Sequence, residues 1–175
     1  MRINYLFLLI TLLTAGCSNN SGSGRLDNTS DSKIIKHVIP IAEKYIMSQL
    51  PDGKRTISEN GAITIANEQK RYIIEPSEIF SGLIDNDQKK DALVSLSIFQ
   101  GQNQTISVQL IILKTGKDFM LARAIESDMR IISVKDRVIT ADVPEHSRNT
   151  PLFNCPSCWE VVKYRFSMGE LVKIE

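Results

Sequence analysis

The chain has little of what most catalytic or nucleic-acid-binding proteins are built from. Its 175 residues include two histidines and three cysteines. No Gly-rich phosphate loop, Gly-x-Ser-x-Gly elbow or His-Glu-x-x-His pair occurs, so phosphate cradling, α/β-hydrolase chemistry and zincin-type proteolysis lack their residues. Excess charge is also missing: 21 basic residues face 20 acidic ones, and a near-neutral chain argues against nucleic acid or an anionic surface as its main partner. Nor is there the run of about 20 apolar residues that a membrane-spanning helix needs. Glu75, Glu78 and Asp85 are carboxylates with no sequence neighbour to give them a catalytic role. His146 lies in the polar stretch Pro144-Glu145-His146-Ser147-Arg148-Asn149, where a solvated imidazole is the ordinary state. No catalytic residue is assigned, no cofactor is called for, and the chain reads as non-enzymatic.

What is present at the amino end is a short apolar run. Arg2 precedes Leu6, Phe7, Leu8, Leu9, Ile10, Leu12 and Leu13, the pattern of a positively charged n-region and a secretory h-region. The run ends at Thr14-Ala15-Gly16-Cys17 and passes straight into Ser18-Asn19-Asn20, without a stop-transfer pattern. Leu13-Thr14-Ala15-Gly16-Cys17 resembles the lipobox of bacterial lipoproteins, although Thr14 stands where that pattern more often has Leu. The resemblance implies cleavage between Gly16 and Cys17, diacylglycerol on the Cys17 thiol and acylation of its freed amine. Several acyl chains on one cysteine anchor a protein stably, whereas one binds only marginally. Asp after the lipidated cysteine resembles an inner-membrane retention signal. Ser18 stands there instead, so the resemblance points to the outer membrane, with the domain facing the periplasm.

Residues 18–32 are nearly devoid of apolar side chains and are expected to stay unfolded as a leash. At about 5–6 Å times the square root of residue number, such a leash reaches roughly 20 Å. Removing the signal takes away only Arg2 among the charged residues and leaves the mature chain balanced. The expected organisation is a signal peptide over 1–16, a lipidated cysteine and linker over 17–32, and one domain over 33–175, long enough for a single core and short for two.

The domain opens with apolar residues at helical spacing: Ile34, Val38, Ile41 and Tyr45, with Ala42 and Ile46, behind Asp31 and Ser32 as candidate caps. Pro40 predicts that the helix either begins there or kinks there, and Pro51-Asp52-Gly53 ends it. The period then switches to two. Ala92, Val94, Leu96 and Ile98 alternate with Ser95 and Ser97; Ile106, Val108, Leu110 and Ile112 alternate with Ser107 and Gln109. With Gln100-Gly101-Gln102-Asn103 between them, the two runs predict a hairpin with one buried face. Turn signals at Thr115 to Asp118, Val134 to Arg137 and Ser167 to Glu170 extend it into an antiparallel meander. Connections this short exclude parallel βαβ crossovers, which need a dozen or more residues. The predicted class is α+β, an antiparallel β-meander with the amino-terminal helix packed on one face.

The segment Gly82-Leu83-Ile84-Asp85-Asn86-Asp87-Gln88-Lys89-Lys90-Asp91-Ala92-Leu93-Val94 resembles the Gly-Asp-Leu-Asp-Gly-Asp-Gly signature of small secreted bacterial domains, many of them lipoproteins without a settled activity. Here the signature is degenerate. Leu83 replaces the first acid, Asn86 and Gln88 replace glycines, and Asp85, Asp87 and Asp91 remain. Calcium wants six to eight oxygen ligands. Three carboxylates are read instead as side chains that cap a turn, and no metal site is assigned. Lys135-Asp136-Arg137-Val138-Ile139, the Cys-Pro-Ser stretch at 155–157 and Lys163-Tyr164-Arg165-Phe166 extend the resemblance along the chain. It implies a fold and not a chemistry.

Cys155-Pro156-Ser157-Cys158 could be a redox motif, half a zinc site or a local disulfide. A thioredoxin-like centre sits at the start of a helix, but Trp159 to Phe166 reads as a strand. Zinc would need two further ligands, with only His37 and His146 to draw on besides carboxylates. With Cys17 lipidated, Cys155 and Cys158 are read as a disulfide closing a tight loop. The expected function is a membrane-anchored binding or accessory module of the envelope that meets a protein partner. An immunity or inhibitor lipoprotein and an unrecognised envelope hydrolase are the alternatives. The polar stretch from Val143 to Phe153 is the expected functional edge.

Overall fold

The computed structural model describes residues 31–101, 104–144 and 159–174. The first element is a helix, α1, over Asp31–Gln49. Ile34, Val38, Ala42 and Ile46 recur every fourth residue, all of them buried, and Leu50 continues the stripe just past the helix end. The helix runs through Pro40, so of the start or kink expected there the start is excluded. Pro40 and Lys36 both lie on the exposed face, so the Lys36 carbonyl that loses its N–H partner faces water. A proline inside a helix costs about 3 kcal/mol, and fully burying Ile34, Val38 and Ile46 contributes about 1.5–3 kcal/mol each. The stripe therefore outweighs the proline. Asp31 and Ser32, placed in the linker by sequence, belong to the helix. It ends where Leu50 N–H donates to the Ile46 carbonyl at 2.8 Å and Gly53 N–H to the Leu50 carbonyl at 3.1 Å.

Six strands follow as one antiparallel sheet in chain order: β1 Lys54–Ile57, β2 Ile63–Ala66, β3 Lys70–Gly82, β4 Asp91–Gln100, β5 Gln104–Thr115 and β6 Asp118–Ser127. Four more, β7 Arg130–Lys135, β8 Val138–Pro144, β9 Trp159–Ser167 and β10 Glu170–Lys173, form a second antiparallel sheet in the order β10-β9-β8-β7. The α+β class and the meander are as expected. The meander splits after β6 into two sheets. The hairpin predicted from Ala92 to Ile112 is β4–β5, with Leu96 opposite Val108 and Val94 opposite Leu110.

Two cores result. Ala92, Val94, Leu96 and Ile98 of β4, with Val108, Leu110 and Ile112 of β5, face α1 and meet Ile63, Ile65, Tyr72, Ile74 and Ile79. On the opposite face Leu93 and Ile111 meet Ile131, Ile139 and Ala141 of the second sheet, together with Ile84 and Met129. The first four residues of β4 are consequently all buried, and alternation appears only beyond Val94.

The sheets approach most closely where β3 ends. A Cβ added to Gly82 would lie 2.7 Å from the Val134 carbonyl oxygen and 2.8 Å from Val134 Cγ1. One residue on, Arg137 N–H donates to the Leu83 carbonyl at 3.2 Å. Backbone cannot retreat from such a contact as a flexible side chain can. Gly82→Ala is therefore expected to destabilise the domain by about 1–3 kcal/mol, the usual range for overpacking, read as a lower urea midpoint at unchanged slope. An unchanged midpoint would show that the sheets are not in backbone contact there.

Candidate functional site

Several residues singled out by sequence lie outside the described ones: Cys17, His146, Cys155 and Cys158, and all of the Val143 to Phe153 stretch except Val143 and Pro144. The segment after Cys158 is strand β9, as expected. His37 lies on α1 with its ring stacked on Phe119 at a centroid distance of 5.8 Å.

The acidic turn is fully described. Asp85, Asp87 and Asp91 bring carboxylate oxygens within 4.8 Å of one another. Asp91 is completely buried. Its Oδ2 accepts N–H from Ile84 at 2.9 Å and from Asp85 at 3.3 Å, and its Oδ1 accepts N–H from Lys114 at 2.9 Å. Asp85 Oδ1 accepts the Asp87 N–H at 2.9 Å, and Asp87 Oδ1 accepts the Lys89 N–H at 2.8 Å, two successive Asx turns. The Lys89 ammonium lies 2.7 Å from Asp87 Oδ2, which lowers the Asp87 pKa and raises that of Lys89. These bonds describe a turn held by its own side chains. Burial pushes the Asp91 carboxyl above its ordinary value while its three N–H donors pull the other way. An amide cannot accept at both ends, so Asp91→Asn sets an NH₂ group against backbone donors. Its expected effect is a loss of about 1–3 kcal/mol per unsatisfied donor, measured by thermal or urea unfolding. A variant of wild-type stability would show the three bonds to be dispensable.

The second concavity draws on five strands. A groove of about 300 Å³ opens where the sheets diverge, lined by Glu75 and Glu78 of β3, Ser95, Leu96 and Ser97 of β4, Ser107 and Gln109 of β5, Asp128, Met129, Arg130 of β7 and Trp159 of β9. Its floor is the polar stripe of the β4–β5 hairpin, which the alternation alone would leave to solvent. Gln109 is buried and joins the sheets: Ser95 Oγ donates to its Oε1 at 2.6 Å, and its Nε2 donates to the Met129 carbonyl at 3.1 Å. The wall is a bulge. Between the pairs Ile74–Leu96 and Ile79–Val94, β3 advances five residues while β4 advances two. Pro76 sits inside the bulge, where its missing N–H breaks no ladder bond, and the extra length turns Glu75 and Glu78 to the groove. Arg130 pairs with Asp142 and stacks over the Trp159 ring at 5.9 Å.

Ser95 is not poised as a nucleophile, since its Oγ gives its proton to an amide oxygen rather than to a base. A larger recess of about 470 Å³ lies at the β2–β3 turn. Two of its polar groups already bond each other, Asn67 Nδ2 donating to both oxygens of Asp52 at 3.1 Å.

Comparison with protein-family models, with curated proteins and with solved structures finds no match to this chain.

Sequence reasoning noted Glu75 and Glu78 but gave them no place, and it read Trp159 only as the start of a strand. The signal that could have found them is Glu75-Pro76-Ser77-Glu78, a proline flanked by acids inside a β-rich run, which marks a bulge. Partial burial raises the Glu78 pKa above its ordinary 4.5, the neighbouring Glu75 carboxylate raises it further, and Arg130 opposes both. A carboxyl that holds its proton more tightly folded than unfolded contributes stability below its ordinary range, and this is lost as pH rises through the folded value. Glu75→Gln removes the like charge, so the Glu78 midpoint followed by NMR is expected to move down toward its ordinary value. An unmoved midpoint would show that the two carboxylates do not face each other.

Proposed function

We propose that this chain is a lipid-anchored protein of the bacterial envelope, tethered at the outer membrane through acylated Cys17, whose domain acts as a non-enzymatic binding module. The observation that carries the reading is the order of segments. A short apolar run ends in Ala15-Gly16-Cys17, an apolar-poor stretch follows, and a folded helix begins at Asp31. A cleaved signal, a tether and a cargo domain explain that order together. Support for binding over catalysis comes from the groove between the sheets, where the Ser95 hydroxyl is bonded to the Gln109 amide and the carboxylates meet no histidine among the described residues. In this reading Cys155 and Cys158 close a disulfide in the segment of sequence that joins β8 to β9.

Fractionation of cells expressing wild type and Cys17→Ala tests the tether. The wild type is expected in the membrane pellet through detergent-free washing, and the variant, with no acyl chains, in the soluble or secreted fraction or retained as the unprocessed precursor. Wild-type behaviour of a fully processed variant in the membrane pellet would overturn the lipid anchor.

A further inference from the structure

We propose that the groove between the two sheets binds an alkyl cation, an ammonium or guanidinium on an apolar stem, between the Glu75–Glu78 wall and the Trp159 ring. The inference rests on the reading of the domain as a binding module and names its ligand class. Three acids, Glu75, Glu78 and Asp128, line the groove against one base, Arg130. Arg130 does not neutralise them by contact, because its guanidinium is paired with Asp142 on β8 and lies over Trp159. Among the described residues neither Glu75 nor Glu78 has an ion-pair partner.

Glu75 at the exposed rim and the partly buried Glu78 carry like charges on one bulge, and a cation placed between them relieves their repulsion. A partly desolvated carboxylate such as Glu78 gains more from such a partner than an exposed one does. The rest of the lining fits the stem. Trp159 is 37% exposed beside the Arg130 guanidinium over its ring, leaving indole surface for methylene packing of the stem. The Ser97 and Ser107 hydroxyls sit in the floor as acceptors for the remaining N–H groups. A volume of about 300 Å³ suits one side-chain-sized group and excludes a bulky cofactor. The same chemistry could be presented by a free polyamine or by a lysine or arginine of a peptide.

The chain carries a single tryptophan, so its intrinsic fluorescence reports on this groove. The test titrates the full-length protein, purified from whichever cell fraction holds it, at about 0.15 M salt, where the Debye length is about 8 Å and diffuse attraction is screened. The probes are cadaverine, the capped tripeptide acetyl-Gly-Lys-Gly-amide, and the same peptide with its lysine side chain acetylated. A saturable Trp159 fluorescence change with cadaverine or the lysine peptide, absent with the acetylated one, is the expected result. Response to cadaverine identifies a free amine as sufficient, and response to the peptide alone identifies a side chain held in peptide context. Glu75→Gln/Glu78→Gln is expected to weaken binding at least about tenfold, roughly 1.4 kcal/mol, with its circular dichroism unchanged. If that double variant does not fold, Glu75→Gln alone, at the exposed rim, is expected to weaken binding in the same direction. No saturable response to either cation, an equal response to the acetylated peptide, or undiminished binding by folded variants would overturn the proposal. None of these outcomes depends on where Cys17 places the protein, so a failed tether and a failed groove are separately visible.

Discussion

Asp91 stands where three parts of the chain must meet. It is the first residue of β4, and its buried carboxylate holds the backbone of Ile84 and Asp85 on one side and of Lys114 at the far end of β5 on the other. A neutral side chain could not accept three N–H groups at once, and a charged one without them would not tolerate full burial. Position 91 therefore fixes where the acidic turn closes, and β4 enters the interior at one defined residue. The next three residues, Ala92, Leu93 and Val94, are buried on both faces of the sheet. Two-sided burial at this point obliges the chain to supply two covers, α1 for one face and β7–β10 for the other.

The groove follows from how that two-sided burial ends. Leu93 and Ile111 are apolar on the face turned to the second sheet, and there the sheets close. Two residues along each strand the same face carries Ser95 and Gln109, then Ser97 and Ser107, paired across the hairpin. Polar groups of this kind resist dry apolar burial, so the second sheet does not continue over them. Gln109 marks the boundary, satisfied on one side by Ser95 and on the other by the Met129 carbonyl where the chain turns into β7. The apolar part of the face glues the sheets, and the polar part leaves a cleft that the β3 bulge lines with carboxylates.

Much of this was legible in the sequence, for reasons that differ from element to element. The α1 stripe and the β4–β5 alternation are long and strictly periodic, and the turns at Gly116 and Gly169 carry residues that tolerate positive φ. Asp85, Asp87 and Asp91 were read as turn caps, and the hydrogen bonds within the acidic turn are of that kind. Strands β1 to β3 gave weaker signals. β1 is exposed at all its residues, so it carries no alternation, and β3 is interrupted by Glu75-Pro76 in mid-strand. Pro40 left the start of α1 open for the opposite reason: four buried side chains on the other side of the helix carry it through a residue at which a local rule allows either a start or a kink. The second sheet was hidden because a serine-bearing face looks the same in sequence whether water or a cleft lies over it. Cys155 and Cys158 fall outside the described residues, and their pairing rests on sequence alone.

Tether and groove bear on each other in the proposed reading. With α1 beginning at Asp31, the leash between Cys17 and the domain spans residues 18–30, which for a flexible chain gives a reach of about 20 Å. A domain confined to so thin a shell beside a membrane meets ligands held in the same shell at effective concentrations on the order of millimolar. A groove of one side-chain volume, with two carboxylates and one indole as its main contacts, cannot supply the area of a tight protein interface. It does not need to. Confinement raises the encounter frequency, the carboxylate pair selects charge, and the indole selects an apolar stem, so selectivity and occupancy come from different parts of the same chain. Affinity measured on freely diffusing partners should then be weak, and the charge dependence of that weak binding is the property that carries the information.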